Sequence, residues 1–392
     1  MATCGQRLSK LQPTCFCVRM RSSSGEHYVG LDHIRAIAAF LVFSWHFLHI
    51  HDGHLIPLPG TFDFWAFSLL AEGHTGVSLF MVLSGYLFAR IAQGKRISYR
   101  RFYAARALRL LPLLIAVCAV FVIKEWIKDG PDAARLSLEN IAYGPILPTL
   151  PNGGWSITVE VHFYILFPLI LLIAGRRPSV LVMLVVGALL LRFLIYSYTD
   201  SSIQLTSYLT IIGRIDQFLF GMLIARYRSI LSGSHLIAAC ALCALVLLYG
   251  WFDRLGGWYS NNTLPSVWVY LLTVEGLIYA LLIGWYDTSF RFKSSGLSGL
   301  IAQIGSASYS IYLLHFFFVF EMAEFIDQNV VRLDQFSLAC LAGLVCFIPV
   351  SFLSWLCYRH FELYWLKFRA PYLSSDLHPT ASTPKRQRAF PR

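Results

Sequence analysis

Charge is what this chain has least of. Only 14% of its 392 residues are Asp, Glu, Lys or Arg, and the acidic ones are scarcer, 21 against 32 basic. With 57% of residues hydrophobic and a mean hydropathy of +0.60, that shortage excludes a water-soluble enzyme and leaves no room for a large soluble domain. Familiar catalytic signatures are missing too. There is no G-x-S-x-G elbow, no phosphate-binding P-loop and no H-E-x-x-H, which argues against a serine hydrolase, an ATPase and a zinc protease. The nine cysteines are scattered and give no disulfide framework. Cys240 and Cys243 form a C-x-x-C inside an apolar run without further ligands, so they read as small packing residues. The first 30 residues lack an apolar core long enough for a cleaved signal.

What is abundant is apolar sequence of spanning length. A window of about 20 residues finds segments near 33–52, 75–93, 107–126, 156–174, 179–199, 206–226, 235–252, 264–286, 299–326 and 336–358. This predicts an all-α polytopic membrane protein, a bundle of about ten transmembrane helices without an evident internal repeat. Basic residues gather on alternate connections: Arg7, Lys10, Arg19 and Arg21 before the first segment, and Arg90, Lys95, Arg96, Arg100, Arg101 and Arg106 after the second. The stretch 53–73 carries Asp63 and Glu72 but no Lys or Arg. That alternation predicts both termini in the cytoplasm. The net charge of +11 is then mainly a topological signal, with some attraction to anionic lipid heads, and gives no reason to expect nucleic acid as a partner. The division expected is a cytoplasmic tail over 1–30, a transmembrane domain over 31–365, and a polar, proline-bearing, disordered cytoplasmic tail over 366–392.

A few ionisable residues interrupt the apolar segments. The run "LDHIRAIAAFLVFSWHF" holds Arg35 and His46. On a helix this spacing turns about 1100°, returning to within about 20° of the same face, about 16 Å further along. Such groups inside a span mark a functional site by default. The second segment, "GHTGVSLFMVLSGYLFARI", offers Gly76, Ser84 and Gly85 for close helix approach. The third opens with Arg101, Arg106 and Arg109 at the cytoplasmic rim, the last two one turn apart. Any inside loop would carry arginines, so their spacing alone does not make a ligand site. The fourth, "GGWSITVEVHFYILFPL", repeats Ser156, Glu160 and Tyr164 every four residues, a polar stripe entering the bundle. In the ninth, Tyr309, Tyr312 and His315 recur every three, a pattern equally open to packing. The group His46, His49, His51 and His54 straddles a helix end, so no metal is expected there. Asn261-Asn262-Thr263 is a glycosylation sequon meaningful only in a eukaryotic host.

Taken in order, these runs resemble the integral-membrane acyltransferase family 3, the O-acyltransferases of polysaccharide O-acetylase type. The family's Arg or Lys, ten residues, then His is matched by Arg35 and His46; "GVSLFMVLSGYL", "RALRLLP" (Arg106, Arg109, Pro112), "WSITVEVHFY" (Trp155, Ser156, Glu160, Tyr164) and "SYSIYLLH" are similar to its later motifs. The resemblance covers about residues 28 to 365. Two departures stand out: His33 replaces the usual glycine, and Glu362 in "YRHFELYW" is not followed by proline.

The resemblance implies transfer of an acyl group, commonly acetyl, from acyl-CoA to a hydroxyl of a saccharide or similar acceptor, in a bacterial inner membrane. Acyl-CoA is there a donor substrate, and no cofactor is permanently bound. His46 and Glu160 become the expected catalytic pair, with His46 either a base or itself acylated. Arg35, Arg101, Arg106 and Arg109 become donor-binding residues, because guanidinium groups grip phosphate oxygens in pairs. Trp155, Ser156, Tyr164, Tyr309, Tyr312 and His315 become acceptor or cavity residues. Two other readings stay open on the residues: a secondary transporter, which would also hold intramembrane Arg, His and Glu, and a glycan-export component indifferent to loss of His46.

Overall fold

The computed structural model describes residues 28–49, 67–175, 177–258 and 265–375. Long apolar runs become helices because the bilayer offers no partner for an open backbone amide. In chain order these are α1 (Val29–Leu48), α2 (Ser68–Ala71), α3 (Thr75–Ala92), α4 (Tyr99–Asp129), α5 (Pro131–Tyr143), α6 (Trp155–Ala174), α7 (Pro178–Tyr198) and α8 (Ile203–Leu209). There follow α9 (Ile211–Tyr227), α10 (His235–Arg254), α11 (Val267–Ser289), α12 (Gly296–Ser306), α13 (Ser308–Leu314), α14 (Val319–Asn329), α15 (Phe336–Cys357) and α16 (Leu363–Leu366). Eight of the helical runs are long and apolar enough to cross a membrane, α15 and α16 forming one of them. Two bent pairs, Ile203–Leu209 with Ile211–Leu231 at 45° and Gly296–Ser306 with Ser308–Phe317 at 52°, bring the number to ten if each counts once. The protein is a multi-pass membrane protein. Its sixth and ninth expected spans are broken helices.

The buried helices are α1, α3 and α11; α4 and α7 stand at the periphery. Small residues let the interior helices touch backbone to backbone. A methyl group on Gly85 of α3 would lie 2.0 Å from the Phe218 carbonyl oxygen of α9, and one on Gly221 of α9 would lie 2.1 Å from that of Val82. Polar pairs pin the same helices. Arg192 of α7 donates to Asp216 of α9 at 2.6 Å, both wholly buried, and Thr273 of α11 donates to the same carboxylate oxygen. Glu275 of α11 accepts from Thr75 and Ser78 of α3 and from Tyr249 of α10.

Residues 131–143, between the third and fourth expected spans, form α5, started by Pro131 in the first turn, where its missing N–H costs no helical bond. The final stretch is not a free tail from 366 onward: β2 (Leu373–Ser375) pairs antiparallel with β1 (Lys95–Ile97), Ile97 opposite Leu373. Cys240 and Cys243 are exposed on α10 rather than packed inside it. His33, the departure on α1, ties that helix to α11 and α12, bonding to the Tyr286 hydroxyl at 3.0 Å and the Ser298 carbonyl at 2.8 Å. His51, His54 and the sequon at 261–263 lie outside the described residues, as does most of each tail.

Candidate active site

The N-terminal halves of α1 and α4 bring Arg35, Arg106 and Arg109 to one cavity. Three residues turn about 300° along a helix, so Arg106 and Arg109 share a face of α4. Arg101 precedes Arg106 by five residues, about 500°, and is turned away; it is exposed and is not among the residues that line the cavity. Arg35 faces the cavity from α1 and pairs with Asp32 one turn earlier. The Arg106 guanidinium lies 5.1 Å from the centre of the Phe88 ring, and its buried Nε has no hydrogen-bond partner among the described residues. Arg109 sits within electrostatic reach of Glu362 and Glu160.

The polar stripe of α6 forms the opposite wall. Ser156, Glu160 and Tyr164 all line the cavity, together with Tyr309 and Tyr312 of α13. The Glu160 carboxylate accepts from the Tyr164 hydroxyl and, at 3.4 Å, from Ser84 of α3. Ser156 donates to Tyr312 at 2.6 Å, Tyr312 to the Gly153 carbonyl at 2.8 Å, and Tyr309 to the Leu110 carbonyl of α4 at 2.7 Å. Across Arg106, Leu110, Ile157 and Tyr164 lies a second, almost wholly apolar recess between α4, α5 and α6, suited to hydrocarbon chains.

His46 is half-buried further along α1 and is not part of the cavity lining. Its partner is His315 of the ninth span, not Glu160: among the described residues Glu160 makes no bond to it. His46 Nδ1 lies 2.8 Å from the Val42 carbonyl and 3.3 Å from His315 Nε2; His315 Nδ1 lies 3.0 Å from the Ile311 carbonyl. A carbonyl only accepts, so each Nδ1 carries the proton. The single Nδ1 proton of His46 is then shared between the Val42 carbonyl and, at longer range, His315 Nε2, and the lone pair of His46 is left on Nε2. Tyr312 connects the two places, lining the cavity with its ring centre 6.0 Å from that of His315. Trp155 lies outside the lining, its ring centre 4.8 Å from that of Tyr208 and 5.6 Å from the Arg214 guanidinium.

Beyond the sequence expectations, the cavity also takes Asp32, Arg369 and Tyr372. Glu362 stands behind Arg109, turned there by a π-helical turn at Tyr358–Glu362 and bonded by Ser310. Only "YRHFELYW" hinted at it.

The cavity inside this multi-pass helical bundle is thus lined by arginines and hydroxyls. The chain belongs to the acyltransferase domain family, matched over residues 28–359. It is similar to nodulation protein 10 of Rhizobium leguminosarum bv. viciae, 30% identical over 181 residues, 39% of this chain and 47% of the relative. It is also similar to the peptidoglycan O-acetyltransferase OatA of Listeria monocytogenes, 25% identical over 190 residues, 42% of this chain and 28% of the relative. The exopolysaccharide production protein ExoZ of Rhizobium meliloti is 28% identical over 275 residues, 64% of this chain and 78% of the relative. The chain thus spans less than half the length of the first two. No solved structure matches it.

Proposed function

We propose that the protein is a membrane-embedded O-acyltransferase that moves an acyl group, acetyl in the first instance, from coenzyme A to a hydroxyl of a saccharide. The observation that carries this reading is the half-buried arginine set, Arg35, Arg106 and Arg109, on one cavity whose far wall adjoins the His46–His315 pair. A cavity of about 170 Å³ accepts the slender arm of a thioester, with the coenzyme phosphates at the arginines. The acceptor hydroxyl gives its proton to His46 Nε2 as its oxygen attacks the thioester carbonyl carbon. The C–S bond then breaks, and the leaving thiolate takes the proton back from His46. His315 holds His46 in the tautomer this requires. Glu160 is a holder of the acceptor rather than an orienter of His46, since its bonds go to Tyr164 and Ser84.

The saccharide acceptor is supported by the relatives named for peptidoglycan and exopolysaccharide. The clustering of basic residues supports a donor arriving from the cytoplasm, with both termini there; the bacterial sources of the relatives support a bacterial inner membrane. Bent spans are also a transporter's device, but the arginines gathered at one end of the cavity suit a coenzyme better than a transported solute. Purified protein in lipid discs, given labelled acetyl-CoA and a saccharide acceptor, is the test. Release of free coenzyme A matched by labelled saccharide is expected; an intact thioester under all acceptors contradicts the reading.

A further inference from the structure

The segment after the last helix enters the cavity. Arg369 and Tyr372 line it, although both lie beyond the stretch matched to the family. What fixes them there is a set of contacts to the start of α4. Ser98 donates its backbone N–H to the Tyr372 carbonyl at 2.8 Å, and β2 then pairs with β1. The buried Tyr372 ring stands edge-on to Phe102 at 5.5 Å, and Arg106 lies 5.8 Å from the ring centre.

Charge in the cavity does not balance. Among the described residues four guanidiniums line it, those of Arg35, Arg106, Arg109 and Arg369, against two carboxylates, Asp32 and Glu160, with Glu362 behind Arg109 as a third. Asp32 is paired with Arg35, and Glu160 is taken by hydroxyls. Arg369 feels the excess: burial, then Arg106 and Arg109, lower its pKa. Like charges brought together in a poorly hydrated place repel, and an anion relieves the repulsion. A phosphate is the fitting one, since each guanidinium fork can bind two of its oxygens.

We propose that Arg369 is a ligand for the phosphate groups of the acyl donor, delivered to the cavity by the C-terminal segment 367–375. This rests on the acyl-CoA reading above. The test is the affinity of the full chain for coenzyme A and for pantetheine, which lacks the nucleotide and its phosphates. Discs of phosphatidylcholine alone keep anionic headgroups from competing. Arg369→Ala is expected to weaken coenzyme A binding roughly ten- to hundredfold, the range of a charge-assisted hydrogen bond, and to leave pantetheine binding unchanged. Arg369→Lys should recover part of the loss. Equal losses for both ligands, or none for coenzyme A, would overturn the proposal while leaving acyl transfer intact. A wild-type protein that binds neither ligand would instead overturn the acyl-CoA reading and this proposal with it.

Discussion

His46 Nδ1 is committed to the Val42 carbonyl and to His315, so proton transfer through this ring must use Nε2. Removing one positioned base typically costs a hundred- to ten-thousandfold, and His46→Ala is expected to lower kcat by about that much with little change in KM for acyl-CoA. His315→Ala leaves the base in place but frees its ring. A smaller loss is expected, with a shifted pH–rate profile, whereas an unchanged profile would make His315 mere packing. Arg109→Ala should act the other way, raising KM for acyl-CoA more than it lowers kcat. Arg35, Arg106, Arg109 and Glu160, which the structure places on one cavity, and His46, which it places outside that lining, stood out in the sequence as ionisable residues in apolar runs. Arg369 did not, because it follows the last span in a basic tail where another arginine carries no signal. Nor did the exchange of Glu160 for His315 beside His46, which depends on how α1 meets the ninth span.

The Arg192–Asp216 pair joins α7 to α9 with both groups fully buried. Breaking one partner strands a charge, so Asp216→Ala should destabilise the folded protein by about 3–5 kcal/mol. Thermal unfolding in detergent reads this out. Replacing both residues with leucine should cost less than the single change. Between α2 and α3, burial pushes the Glu72 carboxyl up to about 8, while burial pushes the neighbouring His74 down to about 3. Glu72 and His74, 2.9 Å apart, are therefore a neutral hydrogen-bonded pair at neutral pH, not an ion pair. Asp253, which feels the Glu72 charge, adds to the cost of ionising it. A carboxyl held above its ordinary 4.5 binds its proton more tightly when folded, so its contribution to stability is full below 4.5 and lost as the pH rises towards 8. His74, held down to about 3, works the other way up to its ordinary 6.5, so melting temperatures should fall in the wild type from pH 6.5 to 8.5 and fall less in Glu72→Gln. Hydropathy revealed the positions of the spans, but not the breaks in the sixth and ninth. Those breaks occur at Thr210, extended at φ −121° and ψ 161°, and at Ala307, neither a proline nor a glycine. The strand pairing of 95–97 with 373–375 joins residues far apart in the chain, and three-residue strands leave no periodic trace.

With each bent pair counted as a crossing, ten crossings would return the chain to the side from which it started, the side that the proposed orientation gives to the cytoplasm, and the arginine cavity opens the question of which face each substrate uses. With Arg35 near one end of α1 and His46 about 16 Å of helix rise beyond it, an extended pantetheine arm can reach from phosphates on one side to an acceptor presented from the other. The apolar recess on α4, α5 and α6 meets the same wall, so substitutions there, such as Leu110→Trp, should narrow the cavity and lower transfer without unfolding the bundle. Sealed vesicles of a single known orientation test the central claim most directly. Labelled acetyl-CoA is supplied at the face carrying Arg90 and Arg106, the saccharide is confined to the other, and wild type is compared with folded His46→Ala. The account predicts labelled saccharide with the wild type and a hundredfold or greater loss with His46→Ala. Near-normal transfer by His46→Ala, or labelled product only when both substrates share the donor face, would contradict it.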